Sequence, residues 1–287
     1  MSDFVAFILT HGRPNNVKTY DTLRRHGYTG RIVILIDDTD QTADEYRERF
    51  GDEVVVFDKA AAAKTFDTAD NQDDMRTIVY ARNACFDVAK DLGIRYFVQL
   101  DDDYRDFRYR FNDKHKWITQ RGKIKNLDRI FEVLLTLLKD TPATTVAMAQ
   151  GGDFIGGHNG TFGSLITLRR KVMNSFFCDT ENPIGFLGRI NEDVNTYTRR
   201  ASTGALYLTA NHISLDQIQT QASGGGMTDV YKASGTYIKS FYSVMFHPSA
   251  VTVQMMNSRS NPRLHHQVNW RRTTPMIVRE TARRVTE

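Results

Sequence analysis

The sequence predicts an α/β fold: a mostly parallel central sheet with helices on both faces. Three observations predict it. Short, continuous apolar runs alternate with helical patterns through residue 103, the order that builds a parallel sheet wrapped by helices. The runs lack the alternation of a strand with one wet face, so both faces are expected to be buried. Polar clusters follow three of them, Thr10-His11-Gly12-Arg13, Asp37-Asp38 and Asp101-Asp102-Asp103. Open α/β sheets bind ligands at that carboxyl edge.

The elements follow in order. Residues 4–9 form the first strand, and residues 17–26 a helix with Val17, Tyr20 and Leu23 on one side and Gly27 as its stop. Residues 32–36 are a second strand, 43–50 a helix ended by Gly51, and 54–57 a third strand. Residues 71–92 read as a longer helix, because Met75, Ile78, Val79, Cys85, Phe86, Ala89 and Leu92 keep the 3.6 period and Gly93 ends it. Residues 96–100 are the fourth strand. In residues 104–125 Phe107, Tyr109 and Phe111 alternate with Arg108 and Arg110, and Lys114, Lys116, Trp117, Arg121, Lys123 and Lys125 follow. A strand pair with one aromatic and one cationic face is expected there: either a solvated hairpin or a contact surface for nucleic acid. Asn126 caps a helix whose stripe is Leu127, Ile130, Phe131, Leu134, Leu135 and Leu138. Residues 144–148 and 163–168 read as strands around a glycine-rich loop at 151–160. Gly188 to Asn195 opens a helix to about Ser202, residues 205–210 form a strand, and 231–246 and 251–256 read as a helix and a strand. The Gly224-Gly225-Gly226 loop ahead of them reads as a possible lid.

A chain of 287 residues with 40% hydrophobic and 11% aromatic content can bury a sizeable core and is not a disordered polymer. One domain is the simplest reading, with a nucleotide-binding half at 1–103, an acceptor half at 104–257 and a basic tail at 258–287. The net charge of +4 fits a polyanionic partner without requiring one. Cys85 and Cys178 stand far apart and read as reduced thiols in a cytoplasm. No stretch approaches 18 apolar residues, so no membrane span is expected. Neither GxxxxGK[ST] nor GxGxxG follows the first strand, which excludes the glycine-cradle phosphate sites.

The Asp triad carries the chemistry. In extended chain Asp101 and Asp103 point the same way, about 7 Å apart at the Cα atoms. Two hard oxygen ligands at that spacing suit Mg²⁺ or Mn²⁺ holding a diphosphate, against the plainer reading of a solvated acidic turn. Glu192 and Asp193 sit in the first turn of a helix, where the dipole alone explains one carboxylate; at a site, one of them could take a proton from an acceptor hydroxyl. His265 or His266 of the Arg-rich tail could fold back to complete a metal site.

Ala81-Arg82-Asn83, the helix running to Gly93 and the strand into Asp101-Asp102-Asp103 together resemble the nucleotide half of GT-A glycosyltransferases. The resemblance implies a GT-A-like fold with a Rossmann-like nucleotide half. It implies that Thr10, Arg13, Asp37 and Arg82 contact the nucleotide, that Asp101 and Asp103 form a DxD motif holding Mn²⁺ (or Mg²⁺) and the diphosphate and touching the donor ribose, and that Asp102 lies in the same cofactor site. Asp193 would be the base in an inverting enzyme, and His266 or His265 a third metal ligand, with His266 favoured. The opening Ile8 to Asn16, the Gly224-Gly225-Gly226-Met227 loop and Arg263-Leu264-His265-His266 through Trp270 are similar to phage-encoded TET-associated glycosyltransferases, which modify 5-hydroxymethylpyrimidines such as 5-hydroxymethylcytosine in DNA.

The expectation is therefore a cytoplasmic, metal-dependent transferase with a UDP-sugar donor and a DNA acceptor. The rivals are transfer to a cell-surface glycan or protein, a non-catalytic nucleic-acid-binding module on the same scaffold, and a nucleotidyltransferase.

Overall fold

The computed structural model describes residues 3–69, 75–114, 116, 118, 122–150, 166–167, 175–217, 237–256 and 263–273. The expected loops at 151–160 and 224–226, the expected helix residues 71–74 and 231–236, and the tail beyond 273 lie outside this set, as do Trp117 and Arg121.

Strands β1 (Phe4–Leu9), β2 (Arg31–Asp37), β3 (Val54–Phe57) and β4 (Tyr96–Asp101) are parallel, in the order β3-β2-β1-β4. The sheet continues through β8 (Ser175–Asp179), β6 (Ala143–Gln150), β9 (Leu206–Gln217) and β5 (Tyr104–Tyr109), with β7 (Ile166–Thr167) beside β9. β8 runs antiparallel to both β4 and β6, while β6 and β9 are parallel. Four parallel strands extended by a mixed half, in which β8, β5 and β7 run antiparallel to their neighbours, give the mostly parallel GT-A-like sheet expected.

The two faces explain the continuous apolar runs. Phe4, Ala6, Ile8, Ile32, Ile34, Ile36, Val98 and Leu100 enter one core. Helices α1 (Lys18–Arg25), α2 (Ala43–Phe50) and α5 (Leu127–Lys139) cover it with Leu23, Tyr46, Phe50, Phe131 and Leu134. Val5, Phe7, Leu9, Val33, Leu35 and Phe97 enter the other, under α3 (Lys59–Ala63), α4 (Val79–Asp91) and α6 (Glu192–Ala201). Alternate residues of one strand thus fill two cores.

Several expectations change. The Ala60–Ala63 run, unassigned from sequence, is α3, capped by Asp58 accepting from the Ala61 amide. α4 begins at Val79. β8 and β11 (Arg263–Val268) are strands that the sequence does not announce; β11 pairs antiparallel with β10 (Val251–Met256). This hairpin, α7 (Tyr237–Phe246) and α8 (Trp270–Thr273) pack beside α6, with Trp270 stacked on Tyr197 at 5.5 Å. The expected two-faced hairpin at 104–125 is also different. β5 pairs with β9, and residues 122–124 run along its other side through Tyr109 N–H to Gly122 O and Ile124 N–H to Phe107 O.

Candidate active site

Thr10, Asp37 and the Asp triad end β1, β2 and β4, so the parallel register brings them to one edge. The turn after β4 is fixed by α1. Thr19 donates its backbone N–H to Asp102 O (3.0 Å) and its hydroxyl to Asp101 O (2.5 Å), and Thr22 Oγ1 donates to Tyr104 O. The three carboxylates are thereby sorted. Asp102, 4% exposed, turns inward, accepting from Thr10 Oγ1 at 2.6 Å with Arg13 Nε 3.5 Å away. Asp101 Oδ1 accepts from Arg82 Nη2 at 2.9 Å, and Asp103 Oδ1 from Gln217 Nε2 at 2.9 Å.

Burial raises the pKa of all three, and the like charge of Asp101 adds to it at Asp103, which reaches about 7. The triad is thus a crowded set of oxygens in excess of nearby cations. Its chemistry fits a divalent cation held by Asp101 and Asp103.

Asp37 is bound differently. Burial raises its pKa, but the His11 Nδ1 hydrogen bond at 2.8 Å, the Thr39 hydroxyl and Lys59 Nζ at 3.3 Å outweigh it, leaving the carboxyl well below the usual range. The same bond raises His11. Asp40 accepts from the Gly12 amide, and Tyr46 OH joins Thr10 Oγ1 and the Arg13 amide. Thr10, Arg13 and Asp37 thus share one polar wall beside the triad. Sequence reasoning missed Lys59 and Tyr46 there; the Asp58 cap was the available signal for α3, which begins with Lys59.

Arg82 is 1% exposed. Besides Asp101, it donates from Nε to Glu192 Oε1 at 3.0 Å, and its guanidinium lies 4.9 Å from the Phe176 ring and 5.7 Å from Phe186. Nη1 is buried without a hydrogen-bond partner among the described residues. Its neighbour Asn83 clamps the backbone of Phe186, donating to its carbonyl (3.1 Å) and accepting from its amide (2.8 Å).

These contacts also separate Glu192 from Asp193. Glu192 is committed to Arg82, and burial raises its pKa. Asp193 Oδ1 accepts only the next backbone amide, of Val194, among the described residues, and Asp193's charge acts on Asp101. The start of α6 is tied to α7: Asn191 takes a left-handed conformation (φ 54°) and donates to Lys239 O. Gly188 has φ 79°, and a Cβ there would lie 2.5 Å from Asn195 Nδ2 and 2.7 Å from the Phe246 ring.

The tail histidines are not gathered with Asp101 and Asp103 into one three-ligand group. Among the described residues no group of three or more His, Cys, Asp or Glu is placed to hold a metal. His265 and His266 are on β11, opposite Gln254 and Val253. The cationic face expected from Arg108 and Arg110 is also corrected. Arg110 is 1% exposed and donates to Ser214 Oγ and Asp216 Oδ1, while Arg108 pairs with Asp106 and Asp216. Among the described residues, Arg25, Arg105, Lys114, Lys116, Lys123 and Lys125 are exposed cations of this edge. Among the described residues no helix is long and apolar enough to cross a membrane.

Residues 4–226 match the family model described as TET-Associated Glycosyltransferase. A search of curated proteins finds no match. Among solved structures, the chain is similar to a mannosyltransferase from Pyrobaculum calidifontis in complex with GDP-Man and Mn²⁺, at 11% identity and TM-score 0.47, covering 86% of this chain and 72% of that one. It is also similar to glucosyl-3-phosphoglycerate synthase from Mycobacterium tuberculosis in complex with Mn²⁺, UDP and phosphoglyceric acid, at 10% identity and TM-score 0.43, covering 92% and 86%.

Proposed function

The chain belongs to the TET-associated glycosyltransferase family, and on that premise we propose that it transfers a sugar from a UDP-sugar to the hydroxymethyl group of a 5-hydroxymethylpyrimidine in phage DNA, in the bacterial host cytoplasm. The observation that carries the donor half is the sorted triad. Asp102 turns inward onto Thr10 and Arg13, whereas Asp101 and Asp103 are each held by a single hydrogen bond, from Arg82 and from Gln217, at the partly exposed edge of the site. They would hold Mn²⁺ or Mg²⁺. Bound there, the ion would neutralise the leaving diphosphate as a Lewis acid. Thr10, Arg13 and Asp37 would line the nucleotide.

Asp193 is the acceptor-side carboxylate least committed to the protein. In an inverting reaction it would take the hydroxymethyl proton while the acceptor oxygen bonds the sugar's anomeric carbon and the bond to the diphosphate breaks. UDP would leave. In a retaining reaction Asp193 would position the acceptor.

The exposed cations support a DNA acceptor. Thr19 at one end of α1 holds the triad turn, and Arg25 at the other end donates to Arg105 O. The basic edge therefore begins roughly 9 Å of helix rise from the triad. A base inside a duplex would have to be flipped to reach Asp193.

Nucleoside mass spectrometry tests the reading. Hydroxymethylated and ordinary DNA are incubated with UDP-sugars and Mn²⁺, then digested. A hexose- or pentose-sized gain on the hydroxymethylated nucleoside alone is expected. UDP release without any gain on DNA would refute the acceptor and point to a glycan or protein. Asp103→Ala should abolish Mn²⁺-dependent UDP binding in a folded protein, and unchanged affinity would refute the metal assignment.

A further inference from the structure

We propose that Arg82 is a positioning residue that holds donor-side Asp101 and acceptor-side Glu192 as one unit, with Glu192 as its counter-ion and not the base. The inference rests on the glycosyltransferase reading of the site above.

Three observations carry it. First, one guanidinium spans two elements far apart in sequence, the end of β4 and the first turn of α6, at 2.9 and 3.0 Å. A planar fork can serve both at once, which a lysine ammonium on one flexible stem does less well. Second, the guanidinium cannot slide. Phe176 and Phe186 lie against it, Gln99 Nε2 holds the Arg82 carbonyl at 2.8 Å, and Asn83 fixes the Phe186 backbone. Third, at 1% exposure the side chain is closed off from solvent, and of its guanidinium nitrogens Nη2 and Nε are taken by Asp101 and Glu192. A role in holding these two carboxylates therefore stands beside the donor contact that the Ala-Arg-Asn resemblance implied.

The consequence is a coupling between substrates. The rotamer of Asp101 is set partly by Arg82, and Arg82 is set partly by Glu192. Removing Glu192 leaves Arg82 with one anion, which draws it toward Asp101 and alters the carboxylate offered to the metal. Asp193, one residue along the same helix, moves with the same support.

The test compares Glu192→Ala, Glu192→Gln and Arg82→Lys. Calorimetry of UDP with Mn²⁺ gives donor affinity, and a pH–rate profile reports the base. Glu192→Ala should weaken UDP binding about tenfold, although Glu192 is not itself assigned to the nucleotide site. Glu192→Gln keeps an oxygen acceptor for Nε–H and should recover most of that affinity, with both limbs of the pH profile retained. Arg82→Lys should weaken UDP binding as Glu192→Ala does, and the double variant should be no worse than either single one, because both changes break one linkage. UDP affinity within about twofold of wild type in Glu192→Ala would overturn the coupling. A pH limb lost in Glu192→Gln would make Glu192 the base and overturn it too. If Glu192→Ala does not fold, the isosteric Gln variant decides by its pH limb. A wild type that binds no UDP with Mn²⁺ removes the donor reading itself, whereas equal binding by wild type and Glu192→Ala removes only the coupling.

Discussion

Replacing Asn83 by Ala should cost the protein more than a half-buried polar residue normally does. Its amide makes two bonds to one backbone unit, accepting from Phe186 N–H at 2.8 Å and donating to Phe186 O at 3.1 Å. The Phe186 side chain is fully buried, so loss of the amide strands a donor and an acceptor where water has poor access. At about 1 to 2 kcal/mol for each orphaned group, the loss sums to about 2 to 4 kcal/mol. In urea, with a slope of about 3 kcal/mol per M for a chain of this size, the midpoint should fall by about 1 M. Far-UV circular dichroism across a urea series reads it directly. Asn83→Asp, which can accept but not donate, should lie between wild type and Ala. A midpoint for Asn83→Ala within about 0.2 M of wild type would show that the clamp contributes little, and that Phe186 is held by packing alone.

Two further outcomes follow from the ion pairs, and a third from the exposed lysines. The pKa of His11 is raised chiefly by its bond to Asp37, whose own pKa is depressed, so Asp37 stays ionised while His11 titrates. The His11 contribution is full below about 6.5 and fades as pH rises through the raised value; His11→Ala should therefore lower the melting temperature more at pH 5.5 than at pH 9, and equal losses would refute the charged pair. Arg110→Ala should destabilise the fold by about 2 kcal/mol, because buried Ser214 Oγ loses its donor while Asp216 keeps Arg108, with no change in the salt dependence of DNA binding. Lys123→Ala with Lys125→Ala should do the reverse, flattening the log–log salt slope by about one for each phosphate no longer neutralised, at nearly constant stability; an unchanged slope would remove this edge from the DNA interface.

The first strands of the sheet were legible because burial on both faces writes itself into the chain as unbroken apolar runs, as in Phe4 to Leu9 and Ile32 to Ile36. β8 was not. Ser175-Phe176-Phe177-Cys178-Asp179 is short, and its reversal between β4 and β6 depends on partners that no local pattern encodes. α3 was passed over because four alanines carry no hydrophobic period. At the site, the Asp triad stood out, but which carboxylate turns inward depends on Thr10 and Thr19, from elements far away in sequence. The alternation of Arg108 and Arg110 was visible; their common partner Asp216 lies more than a hundred residues downstream, so buried pairs resembled a cationic face. Arg82 presented the same difficulty, since a motif names a residue without its burial.

The strip at residues 122–124 has a bearing on how copies of this protein behave when concentrated. A sheet end with unpaired amides and carbonyls is a template on which another chain can add a strand. Here Tyr109 N–H is taken by Gly122 O and Ile124 N–H by Phe107 O, with exposed Lys123 bridged to Arg108 between them. At the opposite end β3 has only four residues, Val54–Phe57, and the chain turns into a helix at Lys59. Among the described residues, neither end of the large sheet offers a long, flat, uncharged ladder. The ends of the large sheet thus give an added strand little to pair with, and Lys123 marks one of those ends as well as lying on the edge proposed for DNA.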